Sequence, residues 1–179
     1  MQKHQALKVL QELDTRGIYV LTTGDLAKAF PEEKDKALEK SLQRLVGDGI
    51  LERVTRGVYL YSYAKSKGSN VIEDIAAVIR RGSYSYVSLE SRLSECGLIS
   101  QIPVSRITVM TSGARGTYST PYGCIEFTHT KRRPAEIIRR TIVQPGRVLR
   151  QATQEAALQD LLRVGRNLNM IDQQVLENG

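Results

Sequence analysis

The chain has no long apolar run. No stretch approaches the roughly 18 consecutive apolar residues that a membrane-spanning helix needs, so the sequence carries no candidate transmembrane helix. Cysteine is scarce: Cys96 and Cys124 are the 2 cysteines among 179 residues, and they have no CxxC spacing. A disulfide framework and the common zinc modules are therefore excluded. The opening MQKHQALKVLQEL lacks both the apolar core and the small-residue cleavage site of a signal peptide, so a reduced, cytoplasmic protein is expected. The usual catalytic signatures are missing too. There is no Walker A loop, no G-x-S-x-G elbow, no HExxH and no dinucleotide-binding fingerprint. Gly82-Ser83 begins like a nucleotidyltransferase signature, but no Asp-x-Asp pair follows to hold a metal. Cys124, His129 and the distant Cys96 match no common zinc spacing. The expectation is a protein without catalytic residues, metal or cofactor, and not an enzyme. Internal repeats and low-complexity tracts are also absent.

What is present is a folded, soluble composition, 41% hydrophobic and 25% charged. The net charge of +7 favours an acidic partner without identifying it. Residues 1–66 contribute +2 and residues 67–179 contribute +5, with most of the cations in the second part being arginine. Arginine suits bidentate contacts to phosphate or carboxylate.

The most informative stretch is Thr22–Tyr61, which has the layout of a winged helix-turn-helix. Thr23 is a candidate N-cap with Asp25 in the first turn, and Leu26 and Phe30 share a face. Pro31 closes this helix and can open the next, because the first helical position needs no N–H donor. That second helix buries Leu38, Leu42 and Leu45 on one stripe. At 100° per residue Lys36, Lys40 and Gln43 point away from the stripe, with Glu39 and Arg44 on its flanks. Gly47-Asp48-Gly49 stops it, and strands Ile50–Thr55 and Val58–Tyr61 follow, joined through Arg56-Gly57. Arg53 and Arg56 put charge on the hairpin. A helix exposing lysine and glutamine beside a basic hairpin suits a DNA groove and its flanking phosphates. The alternative is an ordinary helix–hairpin unit with a solvated charged face, which Glu32, Glu33, Asp35 and Glu39 favour.

Around this stretch, residues 2–14 read as a first helix with Ala6, Leu7, Leu10 and Leu13 buried, and residues 18–21 as a third strand of the wing sheet. Ser62–Asn70 is polar and reads as a linker. The expected fold is α/β in two parts: a winged helix-turn-helix at 1–62, a linker at 63–69, and a mixed α/β domain at 70–179. The second part predicts helices at Val71–Arg81, Leu89–Cys96 and from Thr153. Strands are expected at Tyr84–Val87, Ile107–Thr111, Tyr118–Thr120 and Cys124–Thr128, and more weakly at Thr141–Val143 and Val148–Leu149. A final turn is expected at Ile171–Leu176. Both cysteines read as buried small hydrophobes. Lys131, Arg132 and Arg133, followed by Arg139 and Arg140, form the densest basic run. It reads as a second nucleic-acid contact, as a docking surface for an acidic protein, or as a solvated loop.

The run Leu42-x-x-Leu45-x-x-x-Gly49-Ile50-x-x-Arg53-x-x-Arg56-Gly57-Val58-Tyr59 resembles the N-terminal winged helix of the AbiEi antitoxin family. Ser88-Leu89-Glu90-Ser91-x-Leu93, then Gly97-Leu98 and Pro103, resembles that family's C-terminal domain. So do Thr120-Pro121-Tyr122-Gly123 with Glu126-Phe127, and Ala152-Thr153-x-Glu155-x-Ala157-Leu158-x-Asp160-Leu161. The resemblance implies an antitoxin of a type IV toxin–antitoxin system, active in abortive infection and phage defence. Such a protein binds inverted repeats in double-stranded operator DNA, represses its own operon, and counters a cognate nucleotidyltransferase-like toxin directly or indirectly. It also implies Arg53 and Arg56 as wing contacts; Lys36, Lys40, Gln43 and Arg44 rest on helical periodicity. Two other readings stay open: a winged-helix regulator with a ligand-sensing or dimerisation domain, and an enzyme that modifies the toxin. Monomer and dimer are both compatible with the sequence.

Overall fold

The structure is a computed structural model in which residues 1–99 and 105–171 are described. The chain divides into two compact units, Met1–Ile79 and Arg80–Gly179.

The first unit contains α1 (Lys3–Thr15), β1 (Val20–Thr22), α2 (Thr23–Ala29), α3 (Asp35–Gly47), β2 (Leu51–Thr55), β3 (Val58–Tyr61) and α4 (Val71–Ile79). Its sheet has the order β1-β3-β2, antiparallel throughout, with Leu21 and Arg53 flanking Tyr59 from either side. The apolar stripe of α3, Leu38, Leu42 and Leu45, is buried together with Leu10, Leu26, Ile50 and Leu60. This is a winged helix-turn-helix to which α4 has been added. Two local expectations shift. The N-cap of α2 is Thr22, whose hydroxyl accepts from the Asp25 amide while the Asp25 carboxylate accepts from the Thr22 amide. Pro31 does not open α3, which starts at Asp35; residues 31–34 form a turn in which the Glu33 amide donates to the Phe30 carbonyl at 3.0 Å.

The expected division at 62, 63–69 and 70 is corrected. Helix α4 belongs to the first unit, where it packs on β1 and β3. The reason is polar as well as apolar. The buried carboxylate of Asp14 in α1 accepts from the Lys65 amide at 2.8 Å, the Ser66 amide at 3.1 Å and the Ser66 hydroxyl at 2.5 Å. The Tyr19 hydroxyl donates to Asp74 in α4. Burial pushes the Asp14 carboxyl up, but the Ser66 hydroxyl and the Lys65 and Ser66 amides outweigh it and hold it below its ordinary value. The polar stretch is thus tied down rather than left as a free tether.

The second unit is a six-stranded mixed sheet of order β6-β7-β5-β4-β9-β8 with helices packed on it. Its elements are β4 (Ser85–Val87), α5 (Leu89–Glu95), β5 (Arg106–Thr111), β6 (Gly116–Thr120), β7 (Gly123–His129), α6 (Pro134–Arg139), β8 (Thr141–Ile142), β9 (Arg150–Ala152) and α7 (Gln154–Val164). A 3-10 turn at Leu168–Met170 follows. β5 runs parallel to β7 with Ile107 beside Ile125 and Val109 beside Phe127, and β4 runs parallel to β9. Leu89, Leu93, Met110, Ile137, Ala157 and Leu161 form its core. Helix α6 is an addition to the expected elements: Pro134 takes its first position, where no N–H is needed. The last strand lies at Arg150–Ala152, not Val148–Leu149. Leu89 has φ +57, a left-handed conformation that strains a bulky residue; its side chain is fully buried, so core packing holds it there. Cys96 and Cys124 are half-buried free thiols rather than buried ones. Pro103 and most of the expected turn at Ile171–Leu176 lie outside the described residues. Among the described residues no helix is long and apolar enough to cross a membrane.

Candidate nucleic-acid interface and the basic run

The capping box on α2 and the Arg56-Gly57 turn set the geometry of the wing. Gly57 has φ +73, which an L side chain adopts only with strain, and its carbonyl accepts from the Thr23 amide at 2.9 Å. The hairpin tip is therefore bonded to the start of α2. Between α3 and the wing lies a groove of about 770 Å³. Lys36, Arg53 and Arg56 line it together, but so do Glu33, Asp35 and Glu39. The groove is of mixed sign, not a purely basic channel.

The other three residues face a different flank. Lys40, Gln43 and Arg44 line a depression of about 650 Å³ with Glu33, Ala37 and Ser41. All six of the expected DNA-facing residues are exposed, in two sets on either side of the α3 crest. Arg44 is partly committed: it donates to the Ser41 hydroxyl at 3.0 Å, which in turn donates to Glu33 at 3.0 Å. The Met1 amino group and, more weakly, Ser41 hold the Glu33 carboxyl below its ordinary value despite desolvation. Asp35, with φ +40, opens α3 next to the positive end of its dipole.

The basic run of the second unit separates into two kinds of residue. Arg132 is a structural cation. Its side chain is 9% exposed and pairs with the fully buried Asp160 of α7 and, at 3.0 Å, with Glu136. Arg140 reaches the same Asp160 at 3.5 Å and the Gln159 side chain at 2.6 Å. Asp160 also accepts from the Tyr86 hydroxyl at 3.1 Å and the Ser88 hydroxyl at 2.8 Å. Four donors from β4, the β4–α5 turn and both flanks of α6 thus meet one carboxylate. Burial, and then the Asp160 charge, push the Tyr86 phenol well up. Burial would lower the Arg132 guanidinium, but Asp160 reverses this and raises it. Arg132 and Arg140 are accordingly removed from the expected contact surface. Lys131, Arg133 and Arg139 are exposed. Farther along, Arg147 grips Glu95 through two bonds of 3.0 Å, and Arg150 donates to Thr141 and Ile138.

Asp160 carried a signal that periodicity could have read. It falls on the buried stripe of α7 with Ala156, Ala157 and Leu161. A carboxylate on an apolar stripe needs a buried cationic partner. A second buried acid, Glu90, accepts two bonds from Arg166, at 2.9 and 3.1 Å, and Arg166 also bonds Glu126. Among the described residues no group of three His, Cys, Asp or Glu side chains is arranged to hold a metal.

No known family profile matches this chain, and no curated protein matches it. Among solved structures it is similar to the RV2827C protein from Mycobacterium tuberculosis, with 16% identity and a TM-score of 0.47. That match covers 78% of this chain, which spans about half, 53%, of the other.

Proposed function

We propose that this chain is a DNA-binding antitoxin of the AbiEi kind, working in the cytoplasm without catalysis. In this reading the first unit binds inverted repeats upstream of its operon and represses it. The second unit counters a nucleotidyltransferase-like toxin. The observation that carries the DNA-binding part is the groove between α3 and the wing, where Lys36, Arg53 and Arg56 converge, with Lys40, Gln43 and Arg44 exposed on the other flank of α3. Lysine and arginine there suit phosphates, and glutamine suits an adenine edge. The carboxylates in the groove favour discrimination over raw affinity, because they penalise any pose that does not pair the cations with phosphate.

Binding of the full chain to its upstream DNA and to random DNA, titrated across salt, tests this. A preference for the upstream DNA with a steep salt dependence is expected. Equal binding of the two DNAs would sink the specific-repressor reading. The antitoxin part is tested by expressing residues 80–179 alone beside the toxin gene; rescue of growth is expected. If only the full, DNA-binding chain protects, protection is transcriptional and a plain winged-helix regulator is the better reading.

A further inference from the structure

The helix layer of the second unit stops short of one corner of its sheet. Strand alternation puts Arg115, just before β6, and Thr117 within it on the same face as Glu126 and Thr128 of β7, Thr117 being paired with Glu126. That is the face which α5 and α7 cover farther in, since Thr128 sits beside the core residue Met110. Helix α7 ends at Val164, and there the face opens as a pocket of about 550 Å³. Its lining includes Arg115, Thr117, Glu126, Thr128, Val164 and Arg166.

The two arginines of this lining differ in kind. Arg166 is committed to Glu90, at 2.9 and 3.1 Å, and to Glu126, which Arg106 also reaches at 3.5 Å. The Glu126 carboxylate is thereby neutralised from two sides. Arg115 is exposed, and among the described residues its guanidinium has no hydrogen-bond or ion-pair partner. The hydroxyls of Thr117 and Thr128 have none either. The loop that carries Arg115 is nevertheless pinned. The Gly113 amide donates to the Thr111 hydroxyl at 3.1 Å, His129 Nδ1 donates to the Gly113 carbonyl at 2.8 Å, and Arg80 Nε donates to the Ala114 carbonyl at 2.8 Å. Arg80 in turn lies over the Phe127 ring, 4.3 Å from its centroid. Arg115 is thus held in place by its neighbours while its own donors stay unused, which lowers the ordering cost of binding a ligand.

We propose that this pocket binds the phosphate group of a small molecule of mononucleotide size. The Arg115 guanidinium supplies the paired N–H donors that fit phosphate oxygens, and the Thr117 and Thr128 hydroxyls donate to the rest. Phosphate suits this set better than a carboxylate does, because it offers three terminal acceptor oxygens to a guanidinium and two hydroxyls. The pocket volume lies within the roughly 300–1,000 Å³ of small-molecule sites, which leaves room for a sugar and base behind the phosphate. The inference rests on neither the DNA-binding nor the antitoxin reading.

Isothermal titration calorimetry of the full chain with inorganic phosphate, a nucleoside monophosphate and the unphosphorylated nucleoside tests it. The two phosphates should bind saturably and compete with each other, and the nucleoside should not bind. Arg115→Ala should weaken the monophosphate at least about tenfold, the loss of a charge-assisted hydrogen bond, and Thr117→Val severalfold. Both positions are exposed, so the thermal midpoint should not move. Arg163→Ala, which removes an equal charge from an exposed position of α7 outside the pocket, should leave binding unchanged. In an NMR titration the amide signals of residues 115–117 and 126–129 should shift. No saturable binding, equal weakening by Arg163→Ala and Arg115→Ala, or shifts confined to the first unit would overturn the proposal. Tighter capture of an end-phosphorylated single-stranded oligonucleotide than of the monophosphate would overturn it too, by making the ligand a nucleic-acid end.

Discussion

Replacing Asp160 by asparagine removes one charge and reverses one hydrogen-bonding group at the meeting point of four donors. The side chain is fully buried, and Arg132, whose side chain is 9% exposed, is left without its buried counterion. The new amide also turns N–H bonds toward groups that are themselves donors. Breaking a buried pair from one side costs about 3–5 kcal/mol, because the remaining charge stays desolvated. Set against the roughly 5–15 kcal/mol of a typical domain, this brings the second unit close to unfolding. Cys96 and Cys124 both lie in that unit and are half-buried, so their rate of thiol labelling in increasing urea reports its unfolding separately from the first unit. The midpoint should fall sharply in Asp160→Asn. It should recover in large part when Arg132→Met is added, because the stranded cation is then gone. A single variant within about 0.5 kcal/mol of the parent, the range of ordinary surface changes, would refute the claim that Asp160 holds the unit together.

Arg56→Ala should weaken binding to all DNA sequences alike and reduce the log–log salt slope by about 0.9, one phosphate contact; Gln43→Ala should instead cost about 1–3 kcal/mol of discrimination between upstream and random DNA. Asp14→Asn should open the stretch 62–70 to limited proteolysis, which the parent resists there. The same variant gives a pH test: the Asp14 carboxyl is lowered in the folded chain, so its stabilisation is present above its unfolded pKa and is lost as the pH falls through the depressed folded one. The acid limb of the parent's stability curve should therefore be steeper than that of Asp14→Asn. Reversing Lys131, Arg133 and Arg139 to glutamate should leave the second unit's stability within about 0.5 kcal/mol, whereas including Arg132 should unfold it; the triple variant is thus the one with which to ask, by growth rescue, whether the basic run meets a toxin.

Much of the first unit was legible because its signals are local. The leucine spacing of α3, the glycine at 57 and the alternating strands each fix their own neighbourhood. The α4 boundary was not legible, because an apolar stripe on a helix does not say which core receives it. Ser62–Asn70 misled for a related reason: a polar run looks solvated until the long-range acceptor, Asp14, is known. In the second unit the start of α7 at Thr153 stood out, and its hydroxyl does cap the helix by accepting from the Ala156 amide; the stop at Gly165, with φ +71, was not read. The short helix α6 was hidden in a stretch dominated by arginines. The division of that stretch into buried and exposed cations depends on Asp160, 28 residues beyond Arg132. Charge counts along a sequence treat every arginine as available; in the second unit Arg80, Arg92, Arg106, Arg132, Arg140, Arg147, Arg150 and Arg166 are all bonded within the fold.

The tie between Asp14, Ser66 and α4 also bears on how the chain matures on the ribosome. The helix-turn-helix and wing are complete in sequence at Tyr61, yet Asp14 has no acceptor role to fill until residues 65 and 66 have emerged. Tyr19 likewise waits for Asp74. A stall or frameshift between 62 and 65 would therefore release a winged helix whose Asp14 lacks these donors, whereas one between 67 and 73 would keep them and lose only the bond from Tyr19 to Asp74.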